Sequence, residues 1–338
     1  MRKLKCGILG ATGAVGQRFV QLLSEHSDFE LTSLYASERS AGKKYGERNW
    51  MLEGDVPEEI RDVEVVTNTL DLDADIIFSA LPGGLAKTLE RKFAEKGYVV
   101  CSNTRDNRME NDVPLVISEV NPEHLEMVKD KRGFIVTNPN CSAIVMCMAL
   151  KPLADFEIKA VNVTTLQAIS GAGYPGVASL DILGNILPYI KGEEEKMESE
   201  PLKIFGKLNN GKIEKASFKM SASCTRVPVV EGHTISIQVK LGGSPTLEEI
   251  AEAYTSFEGM PQKLNLPSAP FPPVILKKEE DRPQPKRDLG DGMPVAVGRI
   301  RKDEVLGYKL FAVGSNTIRG AAGASILNAE LLDALGYL

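Results

Sequence analysis

Lys5-Cys-Gly-Ile-Leu-Gly10-Ala-Thr-Gly13-Ala-Val-Gly16 decides how the first half of the chain folds. A short apolar run passes into three glycines, and an apolar helical pattern follows over residues 15–25. The order is strand, tight turn, helix. Glycines at such a junction let the backbone turn sharply and approach a pyrophosphate, while the helix start offers unpaired N–H groups and partial positive charge. The spacing is GxxGxxG rather than GxGxxG, and a turn with no ligand would also tolerate it. Its place at the first strand–helix junction favours a dinucleotide loop.

The same alternation continues outward. Residues 29–35, 75–80, 98–101 and 133–138 are short apolar runs, with helical patterns such as 85–96 between them. This predicts βαβ units and an α/β, Rossmann-type doubly wound parallel sheet over residues 1–142. Beyond residue 150 the period changes. Residues 158–169, 216–227 and 233–241 are longer, and in the last Thr234, Ser236, Gln238 and Lys240 alternate with Ile235, Ile237, Val239 and Leu241. Period two means one buried and one wet face, hence a second, α+β domain over residues 143–315. Thr246-Leu-Glu-Glu249 is a capping box opening a helix that should stop near Gly259. Eight of the 19 prolines fall in residues 259–294, which predicts a long irregular segment there. The Ala- and Leu-rich residues 316–338 predict a closing helix packed back on the first domain.

The 338 residues suit about two domains of ~150 each. With 40 Lys+Arg against 46 Asp+Glu the net charge is −6, which argues against nucleic acid or an anionic membrane as partner. No apolar run approaches the ~18 residues of a membrane span. The first ten residues hold no long apolar leader or small-residue cleavage site, so a cytoplasmic protein is expected. Five cysteines without a CxxC pair predict neither a disulfide framework nor a metal site.

Ala36-Ser37-Glu38-Arg39-Ser40-Ala-Gly-Lys43-Lys44 follows the second strand. A site for NAD places an acidic side chain here for the ribose hydroxyls. Ser37, Arg39 and Ser40 instead suit a 2′-phosphate, and the lysines add positive potential. Glu38 dissents. NADP is the expected cofactor.

Asn138-Pro139-Asn140-Cys141-Ser142 joins a strand to the apolar helix 143–150. A thiol at a helix start meets the helix dipole and unpaired N–H groups, which favour the thiolate, and those groups suit an oxyanion after attack on a carbonyl. Cys6, Cys101 and Cys147 sit inside strand or helix patterns and read as core; Cys224 stays open. A base must come from three histidines. His26 reads as surface and His124 as a structural helix start. His233, seven residues after Arg226 across a Pro and a Gly, reads as presented to a site together with that arginine. Chemistry alone leaves the choice of base open.

Taken with Gln167-Ala-Ile-Ser-Gly-Ala-Gly-Tyr-Pro-Gly176, Glu193-Glu-Glu-Lys196 and Asn316-Thr-Ile-Arg-Gly320, these motifs resemble the aspartate-β-semialdehyde dehydrogenase family in its archaeal and fungal form, over essentially the whole length. The resemblance implies a fold like that of glyceraldehyde-3-phosphate dehydrogenase. It implies Cys141 as the nucleophile that forms an acyl-thioester, His233 as acid/base and Gln167 as an orienting amide. Arg226 would clamp the substrate α-carboxylate and Glu193 its amine. Lys196, Arg108 and Asn140 would hold phosphate. Cofactor contacts would come from Gly10, Thr12, Gly13, Ala14, Val15 and Gly16, from Ser37, Arg39, Ser40 and Ser79, and from Ser170, Gly171, Gly173 and Asn316. The rest of the acidic run up to Glu200 reads as a solvated helix face.

The expected activity is NADP-dependent reductive dephosphorylation of L-aspartyl 4-phosphate to the 4-semialdehyde, on the route to lysine, threonine, methionine and isoleucine, by a homodimer or homotetramer. A malonyl- or succinyl-CoA reductase on the same framework is the alternative. An N-acetylglutamyl-phosphate reductase and a non-catalytic dinucleotide sensor fit the motifs less well.

Overall fold

The computed structural model describes residues 3–338. Backbone packing divides the chain into two units. The first comprises residues up to Val116, Glu123–Asn138 and Ala321–Leu338; the second comprises Ile117–Pro122 and Pro139–Gly320. The break therefore falls at 138/139 rather than at 142. The returning tail begins at 321 rather than 316, and a six-residue excursion at 117–122 joins the second unit.

In the first unit, β1 (Leu4–Leu9), β2 (Phe29–Tyr35), β3 (Val65–Val66), β4 (Ile76–Ser79), β5 (Val99–Ser102) and β6 (Phe134–Thr137) form one sheet in the order β3-β2-β1-β4-β5-β6. Every pairing is parallel. This is the dinucleotide-fold order, reversing beside β1, where the carboxyl ends of the strands open a crevice. β4, β5 and β6 are buried at every residue, as expected of short apolar strands covered on both faces. α1 (Ala14–Ser24) starts directly after the glycine turn and buries Phe19, Val20 and Leu23; α2 (Ala86–Glu95) buries Ala86 and Phe93.

Two glycines make the turn possible. A Cβ on Gly10, at φ +82°, would lie 2.6 Å from the Ala80 carbonyl oxygen, and one on Gly16 would lie 2.1 Å from the Gly10 carbonyl oxygen.

The closing helix is shorter than expected. Residues 318–322 form a wide turn broken at Ala321, and the regular helix runs from Gly323 to Ala334. Within this unit Glu330 of that helix accepts from His26 Nε2 at 2.7 Å. His26 is thus buried, not at the surface, because its ring closes the end of α1 against the returning helix.

In the second unit α3 (Cys141–Leu150) is apolar around its whole circumference, and every residue after Cys141 is buried. β7 (Ile158–Gln167) follows. A short α4 (Ser179–Ile182), α5 (Glu193–Ile204) and a hairpin of β8 (Lys207–Asn209) and β9 (Lys212–Glu214) precede β10 (Lys219–Arg226) and β11 (His233–Leu241). The alternating burial of β11 matches its period-two sequence. α6 (Leu247–Thr255) carries the expected Thr246–Glu249 capping box. The proline-rich segment is not wholly irregular. It contributes β12 (Val274–Lys277), an edge strand that completes the sheet with β13 (Val295–Asp303) and β14 (Gly307–Gly314). The order is β10-β7-β11-β14-β13-β12, parallel at β10/β7 and β12/β13 and antiparallel elsewhere.

That topology gathers chemistry at one end of one sheet. β10 and β7 run parallel with Arg226 opposite Gln167, each the last residue of its strand. β11 runs antiparallel to β7, so its first residue, His233, lies at the same end.

Candidate active site

Asn140 sets where α3 begins. Its side-chain oxygen accepts from the N–H groups of Ser142 and Ala143 at 3.0 and 3.2 Å, the geometry of an N-cap. Cys141 is therefore the first helical residue, half-buried, and its Sγ lies 3.3 Å from His233 Nε2. The cap corrects one expectation: two of the N–H groups offered for an oxyanion are already consumed by Asn140.

His233 is fully buried, and its Nδ1 accepts the Ala168 backbone N–H at 3.1 Å. A backbone amide can only donate, so Nδ1 carries no proton and the neutral ring holds its proton on Nε2, facing sulfur. Burial, and then the neighbouring Arg226 charge, hold its pKa down at about 3. At neutral pH the ring meets Cys141 as an uncharged donor.

Arg226 is buried and donates Nη1 to the Ala168 carbonyl at 2.8 Å. Burial draws its pKa below the ordinary guanidinium value. It forms no ion pair with any described residue. A guanidinium buried without a carboxylate suits an anionic ligand. Gly171 packs against it and against His233.

Glu193, the first residue of α5, is buried. It accepts from Asn140 Nδ2 at 2.8 Å, Gln167 Nε2 at 3.1 Å and Lys196 Nζ at 2.7 Å. Burial pushes its pKa up; Lys196, Asn140 and Gln167 outweigh that and leave it lowered, so the carboxylate is charged. The structure thus distinguishes the three adjacent glutamates. Glu194 accepts the Cys224 backbone N–H at 3.0 Å, and Glu195 is exposed. The acidic run is not a solvated face: Glu198 accepts from the Ala222 N–H and the buried Glu200 from the Asn140 N–H. Cys224 is buried in β10 and its thiol is pushed up to about 11, chiefly by burial; Cys101 is pushed to about 12 for the same reason. Neither competes with Cys141 as a nucleophile at neutral pH.

Asn316 also belongs to the second unit. Its amide donates to Ser170 Oγ at 2.9 Å and its oxygen accepts the Gly232 N–H at 2.9 Å, tying the 170–173 turn to the segment before His233. Gly171 and Gly173 are exposed in that turn.

In the first unit the glycine loop of residues 10–16 lies at the β1–α1 junction, with the Tyr45 hydroxyl donating to the Ala11 carbonyl at 2.7 Å. Beyond β2, Ser37 and Arg39 are exposed and Ser40 half-buried, while Glu38 accepts from Asn68 Nδ2 at 2.8 Å. Glu38 is thus occupied with a neighbouring amide. Ser79 is fully buried and its hydroxyl donates to Glu90 at 2.6 Å, which turns that side chain away from a cofactor role. Arg108 is buried and donates to the Asn103 carbonyl at 3.1 Å; it lies in the first unit, and the other phosphate candidates, Lys196 and Asn140, in the second.

Comparison with known proteins adds identity to this geometry. Residues 5–128 match the family described as semialdehyde dehydrogenase, NAD binding domain, and residues 150–319 match semialdehyde dehydrogenase, dimerisation domain. The aspartate-semialdehyde dehydrogenase of Archaeoglobus fulgidus is 53% identical over 336 residues, covering 96% of this chain and 97% of that protein. That of Methanothermobacter thermautotrophicus is 54% identical over 341 residues, covering 97% and 98%. The chain belongs to the aspartate-semialdehyde dehydrogenase family. Among solved structures, the Candida albicans aspartate semialdehyde dehydrogenase with NADP superposes with a TM-score of 0.95 at 41% identity, covering 100% of both chains. The Vibrio cholerae aspartate semialdehyde dehydrogenase II complexed with ASA gives 0.80 at 30% identity, covering 99% of both.

Two features of this chain were not expected from the sequence. Glu90 accepts from Ser79, Ser102, Thr104 and Asn107, a buried carboxylate tying together the ends of β4 and β5 and the loop carrying Arg108; burial raises its pKa. Arg319 and Glu119 form a fully buried ion pair at 2.8 Å, 200 residues apart in sequence. Their partners come from distant segments, so no local pattern pointed to them.

Proposed function

We propose that this chain catalyses the NADP-dependent reductive dephosphorylation of L-aspartyl 4-phosphate to L-aspartate 4-semialdehyde. The observation that carries the reading is Cys141 Sγ at 3.3 Å from the proton-bearing nitrogen of His233, in a cluster that also supplies an unpaired buried Arg226 and a charged Glu193. Those are the parts an acyl phosphate with an amino-acid end requires.

The Cys141 thiolate attacks the acyl carbon, a carbon–sulfur bond forms, and the bond to phosphate breaks with the electron pair leaving on phosphate oxygen. When bound, NADPH would supply the hydride needed to reduce the thioester carbon. The thiolate then departs as the aldehyde forms. His233 Nε2–H donates towards sulfur, stabilising the anion both before attack and on departure. Arg226 holds the α-carboxylate through a planar fork, and Glu193 holds the ammonium. Gln167 orients the carboxylate by donating to Glu193 Oε1. Lys196 and Asn140 serve the phosphate.

The residues present fit the cofactor. Gly10 and Gly16 admit no Cβ because the turn closes tightly on the Ala80 and Gly10 carbonyls, as the strand–helix turn of a dinucleotide loop requires, and Ser37, Arg39 and Ser40 follow β2 where a 2′-phosphate is read. Thr12, Gly13, Ala14 and Val15 complete the loop; Ser170, Gly171, Gly173 and Asn316 serve the nicotinamide end. A CoA-thioester reductase is the weaker reading, since a charged Glu193 has no amine to bind in that substrate.

No helix of the described residues is long and apolar enough to cross a membrane. None of the five cysteines is joined in a disulfide, which fits the reducing cytoplasm. Tyr174, Leu180, Leu183 and Tyr189, each at least 67% exposed, mark an association surface in the unit that matches the dimerisation family, and we assign a homodimer as the basic assembly, with a tetramer as its doubling.

The deciding experiment is a spectrophotometric assay of aspartate semialdehyde oxidation with phosphate and NADP, beside reduction of malonyl-CoA with NADPH. Phosphate-dependent turnover of the first is expected. Turnover of malonyl-CoA alone would replace the amino-acid reading by the CoA one.

A further inference from the structure

We propose that Glu200 is a positioning residue for the nucleophile, acting through Asn140; the inference rests on Cys141 being the attacking thiol. An N-cap residue has no helical partner for its own N–H, because the helical ladder begins after it. The Asn140 backbone N–H therefore needs an acceptor from elsewhere, and Glu200 Oε2 supplies it at 2.6 Å. The Asn140 side chain is fixed as well: Oδ1 by the first N–H groups of α3, and Nδ2 by Glu193 Oε1 at 2.8 Å.

Both carboxylates come from α5. Glu193 opens the helix and Glu200 follows seven residues later, about two turns on and so on the same face. That face grips Asn140 from two directions. Cys141 is bonded directly to it and inherits its orientation, including the 3.3 Å approach to His233.

Glu200 is only 2% exposed. A carboxylate buried to that degree is costly unless donors meet it, so its place on an otherwise packed helix face calls for a reason. Orphaning the Asn140 N–H would be costly too, and a shift of the helix start by a fraction of an ångström misaims the sulfur. Glu200 does not enter the chemistry itself; it sets the peptide from which the thiol projects.

The test uses the full chain with Glu200→Met, which removes the acceptor, and Glu200→Gln, which keeps an uncharged one. Two readouts are followed: kcat and KM for phosphate-dependent oxidation of aspartate semialdehyde, and the pH midpoint of iodoacetamide alkylation at Cys141, located by peptide mass. For Glu200→Met we expect kcat to fall about tenfold or more, with KM for NADP within about twofold. The alkylation midpoint should move by at least about half a pH unit. Glu200→Gln should stay within about threefold of wild-type kcat with the midpoint restored, because the amide oxygen still accepts. A folded Glu200→Met with wild-type kcat and midpoint overturns the proposal, as does a Gln variant as impaired as Met. If Glu200→Met does not fold, Glu200→Gln decides alone: activity within the threefold limit supports the acceptor role and a tenfold loss refutes it. Alkylation of some other cysteine in the wild type would overturn the Cys141 reading itself, and this inference with it, and is told apart by appearing in the unmutated protein.

Discussion

One methyl group at Gly171 tests the site without removing any functional group. A Cβ there would lie 2.7 Å from Arg226 Nη1, and 3.0 and 3.2 Å from His233 Cε1 and Nε2. The backbone at Gly171 is not left-handed and the residue is exposed, so Gly171→Ala brings neither backbone strain nor a core defect. Relief requires the guanidinium to retreat by roughly 0.8 Å to reach ordinary contact near 3.5 Å. Arg226 is the far end of a flexible side chain, so the retreat is cheap for folding. It is expensive for binding, because the guanidinium proposed to hold the substrate carboxylate is aimed by its Nη1 bond to the Ala168 carbonyl at 2.8 Å, and the retreat disturbs that aim. Losing one charged hydrogen bond costs about 1.5–3 kcal/mol, or about 10- to 150-fold in kcat/KM. The assay is initial-rate oxidation of aspartate semialdehyde with phosphate and NADP, with thermal unfolding of both proteins alongside. A rise in KM for the semialdehyde reports displacement of Arg226; a fall in kcat reports displacement of His233. The unfolding midpoint should move by less than about 2 °C, as for a surface substitution. A variant with kcat/KM within twofold of wild type would refute the reasoning, since Arg226 and His233 would then not be used on the side that Gly171 faces.

Cys141→Ser should lose several orders of magnitude in kcat while still binding NADP, because a hydroxyl at this position stays protonated at neutral pH; near-normal turnover would reject Cys141, above all if Cys224→Ser abolished it. His233 should make the fold acid-sensitive. Its folded pKa, about 3, lies below the unfolded value of about 6.5, so between these values the unfolded chain binds more protons and stability falls as pH drops, by at most about 1.4 kcal/mol per pH unit. Denaturant midpoints from pH 7 to pH 4 should accordingly fall less steeply for His233→Gln than for wild type, and parallel curves would contradict a buried neutral ring. Arg39→Ala should raise KM for NADP far more than for NAD, and equal effects on both cofactors would show that Arg39 does not reach the 2′-phosphate.

The first sheet was legible because each of its main strands carries its own signal: a run of buried apolar residues closed by a turn, as in residues 5–10 and 133–138. β3, with two residues, was too short to register. β12 lay hidden among prolines, because an edge strand keeps its register through tertiary pairing with β13 rather than through its own pattern. Cys141 could be read locally as well. A cysteine directly ahead of an apolar helix places a thiol at the helix start; the Asn140 cap beside it came from the structure.

The environment of that thiol was a different matter. Sequence order cannot say that Arg226, Gln167 and His233 share one end of a sheet; the parallel pairing of β10 with β7 and the antiparallel pairing of β11 decide it. Nor does a run of glutamates reveal which of them is buried. Glu193 and Glu200 face Asn140 because the packing of α5 turns that side inward, and Glu195 stays in water because, two residues after Glu193, it lies on the opposite side of the helix. The state of His233 depends on a backbone amide 65 residues away. Capping, strand patterning and the glycine turn are local and were written in consecutive residues. Burial, ionisation and partner choice depend on groups distant in sequence, and only the folded chain brings those together.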